Sequence, residues 1–165
     1  MYKNTNIISR LYTDTIVIAQ DFSKKIKVGD NIFLIGNLGS GKTVFTKSLL
    51  KSLGIKKKII NSPSFKLINE YDIVSGKNQI KCYHFDLYRL ENIEEILYLG
   101  WDDYINSENI CIVEWADKAK KIWNLKNSRN NFYEIKIDYI FEKKKNGINH
   151  INNFHKRNIQ IKKLK

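Results

Sequence analysis

Eight residues constrain this chain more than any others: Gly36-Asn-Leu-Gly-Ser-Gly-Lys-Thr43 fits the pattern G-x-x-x-x-G-K-T in full. Asn31 to Ile35, just before them, is a short continuous apolar run that predicts a fully buried strand. After them, Phe45, Leu49 and Leu53 recur four apart beside Leu50, which predicts a helix from Lys42 to Leu53 with Gly54 as its stop. A glycine loop between a buried strand and a helix is the setting that this motif requires. Glycines let the backbone curl so that successive N–H groups face inward, and the helix adds the partial positive charge of its first turn. The expected guest is ATP with a magnesium ion (Mg2+), Lys42 reaching the β- and γ-phosphates and the Thr43 hydroxyl ligating the metal.

Such a site needs acids. Asp86 closes the apolar run Ile80 to Phe85, and Glu114 closes Ile110 to Val113. Ligands of parallel sheets gather beyond the carboxyl ends of strands, so both acids can reach Thr43. One would hold Mg2+ and the other would orient or deprotonate an attacking water. Asp86, Glu114 and Lys42 are thus the candidate catalytic residues, and Thr43, Glu114 and Asp86 the candidate metal ligands. Ser62-Pro-Ser64 contains the only proline and reads equally as a γ-phosphate sensor or as a plain turn.

The remaining segments are consistent with an α/β fold. Thr13 to Lys25 predicts a short helix capped at Thr13-Asp14, Val28-Gly29-Asp30 a turn, Lys66 to Ile73 an extended segment and Ile93 to Leu99 a helix ending at Gly100. Tyr133 to Tyr139 alternates as a half-exposed strand, and Ile159 to Ile161 reads as one more. The expectation is a mostly parallel central sheet flanked by helices, with antiparallel strands toward the C-terminus. One domain is assigned to residues 1–141, and 142–165 to a basic C-terminal extension of unassigned role.

The net charge of +12 raises the question of nucleic acid. Yet 25 of the 29 basic residues are Lys and 4 are Arg, and residues 142–165 hold eight of them against Glu142. A solvated lysine surface accounts for this as simply as a binding face does. No apolar run approaches the roughly 18 residues that span a bilayer. Met1 to Arg10 lacks the apolar core of a signal peptide, so a cytoplasmic protein without membrane or DNA partners is expected. Cys82 and Cys111 sit inside apolar runs and read as inert core thiols.

Taken together and in order, GNLGSGKT, NSPSF, NEY, YHFDLYRL, EEILYLG and VEW resemble the TsaE (YjeE) family from about Thr13 to Asp138. That family is the ATPase component of the bacterial machinery that makes threonylcarbamoyladenosine in tRNA. The resemblance implies a P-loop NTPase fold, weak hydrolysis of ATP by the chain alone, and work with TsaB and TsaD, tRNA being met through that complex. It places nucleotide contacts on Thr15, Gly39, Ser40, Gly41, Lys42, Thr43, Val44, Ser62, Ser64 and Trp115. It places the metal pair on Thr43 and Glu114, and the catalytic aspartate on Asp86. Trp115 also reads as a core aromatic. Asn37, Ser40, Ser64, Trp101 and Ala116 depart from the family pattern, and the side chains of Asn37 and Ser40 are expected to point away from the nucleotide.

His84 shares a strand face with Asp86 and is expected to pack or to support the site. Arg89 reads as a phosphate contact or a surface ion pair. Two other classes remain: a small-molecule kinase, for which no arginine-rich lid is visible, and a nucleotide-gated binding module without turnover.

Overall fold

A computed structural model of the chain describes residues 4–55, 60–63, 66–75, 78–123, 125, 129–140 and 156–165. Seven strands form one sheet: β1 (Asn4–Ser9), β2 (Asn31–Ile35), β3 (Ile68–Ser75), β4 (Asn78–Asp86), β5 (Ile110–Glu114), β6 (Phe132–Tyr139) and β7 (Arg157–Lys163), in the order β1-β7-β6-β2-β5-β4-β3. The helices are α1 (Tyr12–Ser23), α2 (Lys42–Ser52), α3 (Ile93–Tyr98) and α4 (Trp101–Ile105), with a 3₁₀ turn at Ala116–Ile122.

The four central strands β6-β2-β5-β4 are parallel, whereas β7 on one side and β3 on the other run against them, and β1, antiparallel to β7, points the same way as the centre. The centre is parallel as expected, and the whole sheet is mixed because antiparallel pairing occurs at both edges rather than toward the C-terminus alone. Parallel pairing needs a crossover that covers a face. Hairpin neighbours such as β3–β4 need none, so they extend the sheet outward. β7, which contains the strand expected at Ile159 to Ile161, lies between β1 and β6, so the sheet includes residues beyond 141.

Alternation along the strands makes two cores. On one face Ile32, Leu34, Ile112, Ile135 and Ile137 meet Phe22 of α1 and Phe45, Leu49 and Leu50 of α2. Burial of each large α2 side chain contributes about 2 kcal/mol of transfer free energy. The other face is aromatic. Phe33 lies 4.5 Å from Trp123 and 5.6 Å from Phe132, and Trp101 packs edge-on against Phe85 at 5.6 Å. Trp101, unusual for its position, fills this second core and donates to the Ile122 carbonyl.

Local starts and stops follow backbone chemistry. Helix α1 begins one residue before Thr13, and Asp14 sits at its third position instead of at the cap. From there its carboxylate accepts the Arg10 and Leu11 N–H groups at 2.8 and 3.0 Å, satisfying donors that a helix start leaves unpaired. Gly54 ends α2 with φ of 91°. Both thiols are buried, and burial pushes their pKa values up, which suits inert core cysteines.

Candidate functional site

Strand β2 delivers the chain into the loop Gly36–Gly41, and α2 begins at Lys42. At Gly36 the loop turns hard against β6: a Cβ there would lie 2.2 Å from the Ile137 carbonyl oxygen. Only glycine fits. Gly41 has φ of 113°, which closes the loop onto the helix start. The Ser40 side chain is fully buried and Asn37 is exposed. Leu38, Gly39, Gly41, Lys42, Thr43, Val44 and Trp115 line a cleft of about 180 Å³.

Lys42 is nearly buried. Its ammonium donates to the carbonyls of Gly36 at 2.7 Å and Asn37 at 3.1 Å, and it lies 3.5 Å from the centre of the Trp115 ring. Burial lowers its pKa, and the charges of Glu114, Asp117 and Asp86 oppose that without cancelling it. Trp115 follows β5 in the left-handed region with φ of 57°, a conformation that costs about 1–2 kcal/mol outside glycine. That turn brings Trp115 into the lining of the cleft, and its ring also meets Tyr88 at 5.0 Å. Trp115 therefore faces the loop while packing its other side on the aromatic core.

The acids sit where the strand ends put them. Asp86 and Glu114 are register partners in parallel strands, which lie about 4.8 Å apart and send paired side chains to one face. Glu114 is 1% exposed, and both its oxygens are engaged: Oε2 accepts the Thr43 hydroxyl at 2.7 Å and Oε1 lies 3.0 Å from His84 Nε2. Asp86 accepts the Ser62 hydroxyl on one oxygen and the Tyr88 N–H at 3.1 Å on the other. Lys42, Thr43, Glu114, Asp86, Ser62 and Trp115 are thus gathered at one end of the sheet.

Thr15 falls elsewhere. It is buried within α1, its hydroxyl 2.8 Å from that of Ser9, and it does not line the cleft. Ser64 lies outside the described residues. Arg89 is exposed on the turn after β4.

Sequence reasoning placed His84 on the right face without finding its partner. Two-residue spacing from Asp86 was the available signal, since register with β5 decides which acid it meets. Arg157 was missed as a loop contact. It reaches from β7 to donate Nε–H to the Ser40 carbonyl at 2.5 Å, and its rarity among lysines was the only hint.

A family model described as "Threonylcarbamoyl adenosine biosynthesis protein TsaE" matches residues 10–147. The chain belongs to the TsaE family. A tRNA threonylcarbamoyladenosine biosynthesis protein TsaE from Haemophilus influenzae is 42% identical over 91 residues, which is 55% of this chain and 54% of that protein. The TsaE from Bacillus subtilis is 42% identical over 103 residues, 62% of this chain and 61% of its own length. The chain thus spans little more than half of these two relatives. The Aquifex aeolicus TsaE is 36% identical over 108 residues, covering 65% of this chain and 73% of its own. The crystal structure of Bacillus subtilis YdiB superposes with a TM-score of 0.67 at 27% identity, over 98% of this chain and 86% of that one.

Proposed function

We propose that this TsaE-family protein has a P-loop NTPase fold and is a Mg2+-dependent ATPase. We place it in the cytoplasm, acting with TsaB and TsaD to form the threonylcarbamoyl group on adenosine 37 of tRNAs that read codons beginning with adenine. The observation that carries the catalytic half is the Thr43–Glu114 hydrogen bond at the foot of a glycine-rich loop, with Asp86 one strand away. The names of the relatives support the tRNA half.

ATP would lay its phosphates along the backbone N–H groups of residues 39–44, at the start of α2. Lys42, held by two loop carbonyls, would exchange them for phosphate oxygens and leave the Trp115 ring. The donor set suits a hard cation, because Thr43 and Glu114 present a hydroxyl and a carboxylate oxygen at one point. Thr43 and Glu114 would hold Mg2+, and the bound ion would neutralise phosphate charge. His84 fixes the second oxygen of Glu114, so the carboxylate keeps one orientation. Asp86 would orient the attacking water or take its proton, and Ser62 would report γ-phosphate by leaving Asp86.

The test is steady-state phosphate release from MgATP, alone and with TsaB, TsaD and tRNA, alongside Asp86→Asn and Glu114→Gln. Turnover that rises with the partners and is lost in both variants while nucleotide binding persists supports the reading. Unchanged turnover in both variants removes the assignment of the acids.

A further inference from the structure

We infer that Arg157, on the C-terminal strand and beyond the residues that the family model matches, is a positioning residue that aims the glycine-rich loop at phosphate. The inference rests on the nucleotide reading above and adds a part of the chain that reading does not use.

The argument starts from one peptide plane. In a trans peptide the C=O of one residue and the N–H of the next point in opposite directions. Arg157 Nε donates to the Ser40 carbonyl at 2.5 Å, so it fixes the plane that carries the Gly41 N–H. Gly41 lines the cleft and has φ of 113°. With no side chain at Gly41, the Ser40–Gly41 plane can rotate at little steric expense, and then the N–H would face away from the cleft. The Ser40 hydroxyl does not hold the loop in place: it is buried and has no hydrogen-bond partner among the described residues. A guanidinium at the Ser40 carbonyl adds a restraint on this plane to those the loop makes for itself, from the Ser40 N–H to the Asn37 carbonyl and from Lys42 to the Gly36 and Asn37 carbonyls.

The guanidinium is itself anchored. Arg157 pairs in register with Tyr139 across β6–β7, and its guanidinium carbon lies 5.5 Å from the Tyr139 ring centre. The same tyrosine presses on the loop a second time: a Cβ at Gly39 would lie 2.7 Å from its hydroxyl oxygen. A Cβ at Gly41 would lie 3.3 Å from Arg157 Nε, so the arginine also packs against the residue whose N–H it sets. Arginine suits this post better than lysine, because a planar guanidinium can stack on a ring and donate from its edge at once.

The experiment uses the full chain and MgADP and MgATP titrated by calorimetry, well below the melting temperature of every variant. Alongside it, amide hydrogen exchange is followed across residues 36–43 without nucleotide. Arg157→Ala is expected to weaken both nucleotides alike by about tenfold, the size of one charge-assisted hydrogen bond, and to speed exchange at the Gly41 amide. kcat at saturating ATP should change by less than about threefold while KM rises, since ground and transition states use the same N–H. Arg157→Lys should recover part of the affinity, and Lys162→Ala, an exposed change on the same strand, none of these effects. A structural loss alone would lower the melting temperature and leave affinity unchanged, which overturns the inference. If Arg157→Ala does not fold, Arg157→Lys is read the same way, and unchanged affinity with unchanged Gly41 exchange overturns it. Wild type that takes up no MgATP removes the nucleotide reading and this inference together. Wild type that binds, with a variant that binds as well, removes this inference alone.

Discussion

On the side of the glycine-rich loop that faces β6 and β7, contacts are made to backbone. Gly36 rests on the Ile137 carbonyl, and the Ser40 carbonyl receives Arg157. On the side that faces β5 and β4, contacts run between side chains: Thr43 to Glu114, Glu114 to His84, Ser62 to Asp86. The first wall combines a steric contact at Gly36, which has no room to adjust, with one hydrogen bond at the Ser40 carbonyl. The second is a chain of hydrogen bonds whose members can exchange partners without moving a strand. A site that must keep its cradle while trading ligands needs both kinds of support, and each kind should fail in its own way.

The largest effect is expected on the exchangeable wall. Glu114→Gln keeps an acceptor for Thr43 but removes the charge, so ATP turnover should fall by about 10³-fold, as when one charge-stabilising group is removed from a reacting site. Nucleotide binding by calorimetry should change by less than about tenfold. A variant with equal losses in both would show that Glu114 serves the cradle rather than the reaction. The rigid wall is broken at Gly36. Gly36→Ala forces a methyl into the Ile137 carbonyl, and denaturant unfolding should show a loss of about 3 kcal/mol, typical of severe overpacking. Full stability in that variant would mean that the loop can shift, and the contrast between the walls would vanish.

Smaller effects refine the picture. Ser62→Ala frees one oxygen of Asp86 and should slow turnover by about threefold to tenfold, about the typical net worth of one hydrogen bond, with stability little altered. The mildest test is pH. Burial holds the Lys42 pKa below the ordinary lysine range, so the folded chain releases this proton before the unfolded chain does. Between those two pKa values the unfolded state binds more protons, and stability of the nucleotide-free protein should rise with pH. MgATP affinity should fall over the same window as the ammonium charge is lost. Calorimetric titrations stepped from neutral into alkaline pH check the affinity, and melting curves check the stability. Lys42→Met should abolish both trends.

Much of this architecture was legible along the chain because its causes are local. The buried runs of β2 and β5, the four-residue spacing in α2 and the stop at Gly54 each depend on neighbours within a turn or a strand. β1 escaped notice because Asn4–Ser9 is an edge strand with alternating, mostly polar exposure, and it exists only by pairing with β7. Helix α4 escaped because five residues carry little periodicity and its Trp101 is placed by the aromatic core. The cap of α1 was misplaced by two residues, since Asp14 serves from the third position as well as a cap would.

Lys42, Thr43, Asp86 and Glu114 could be nominated from the linear order alone, since each stands at the end of a strand or the start of a helix that its own neighbours specify. Which acid meets which partner could not. Thr43 and Glu114 are 71 residues apart, and Ser40 and Arg157 are 117 apart. Their meeting depends on strand order and register, which whole-sheet packing selects and no local pattern encodes. The residues and their chemistry belong to the sequence, and the pairing of those residues into a site belongs to the sheet.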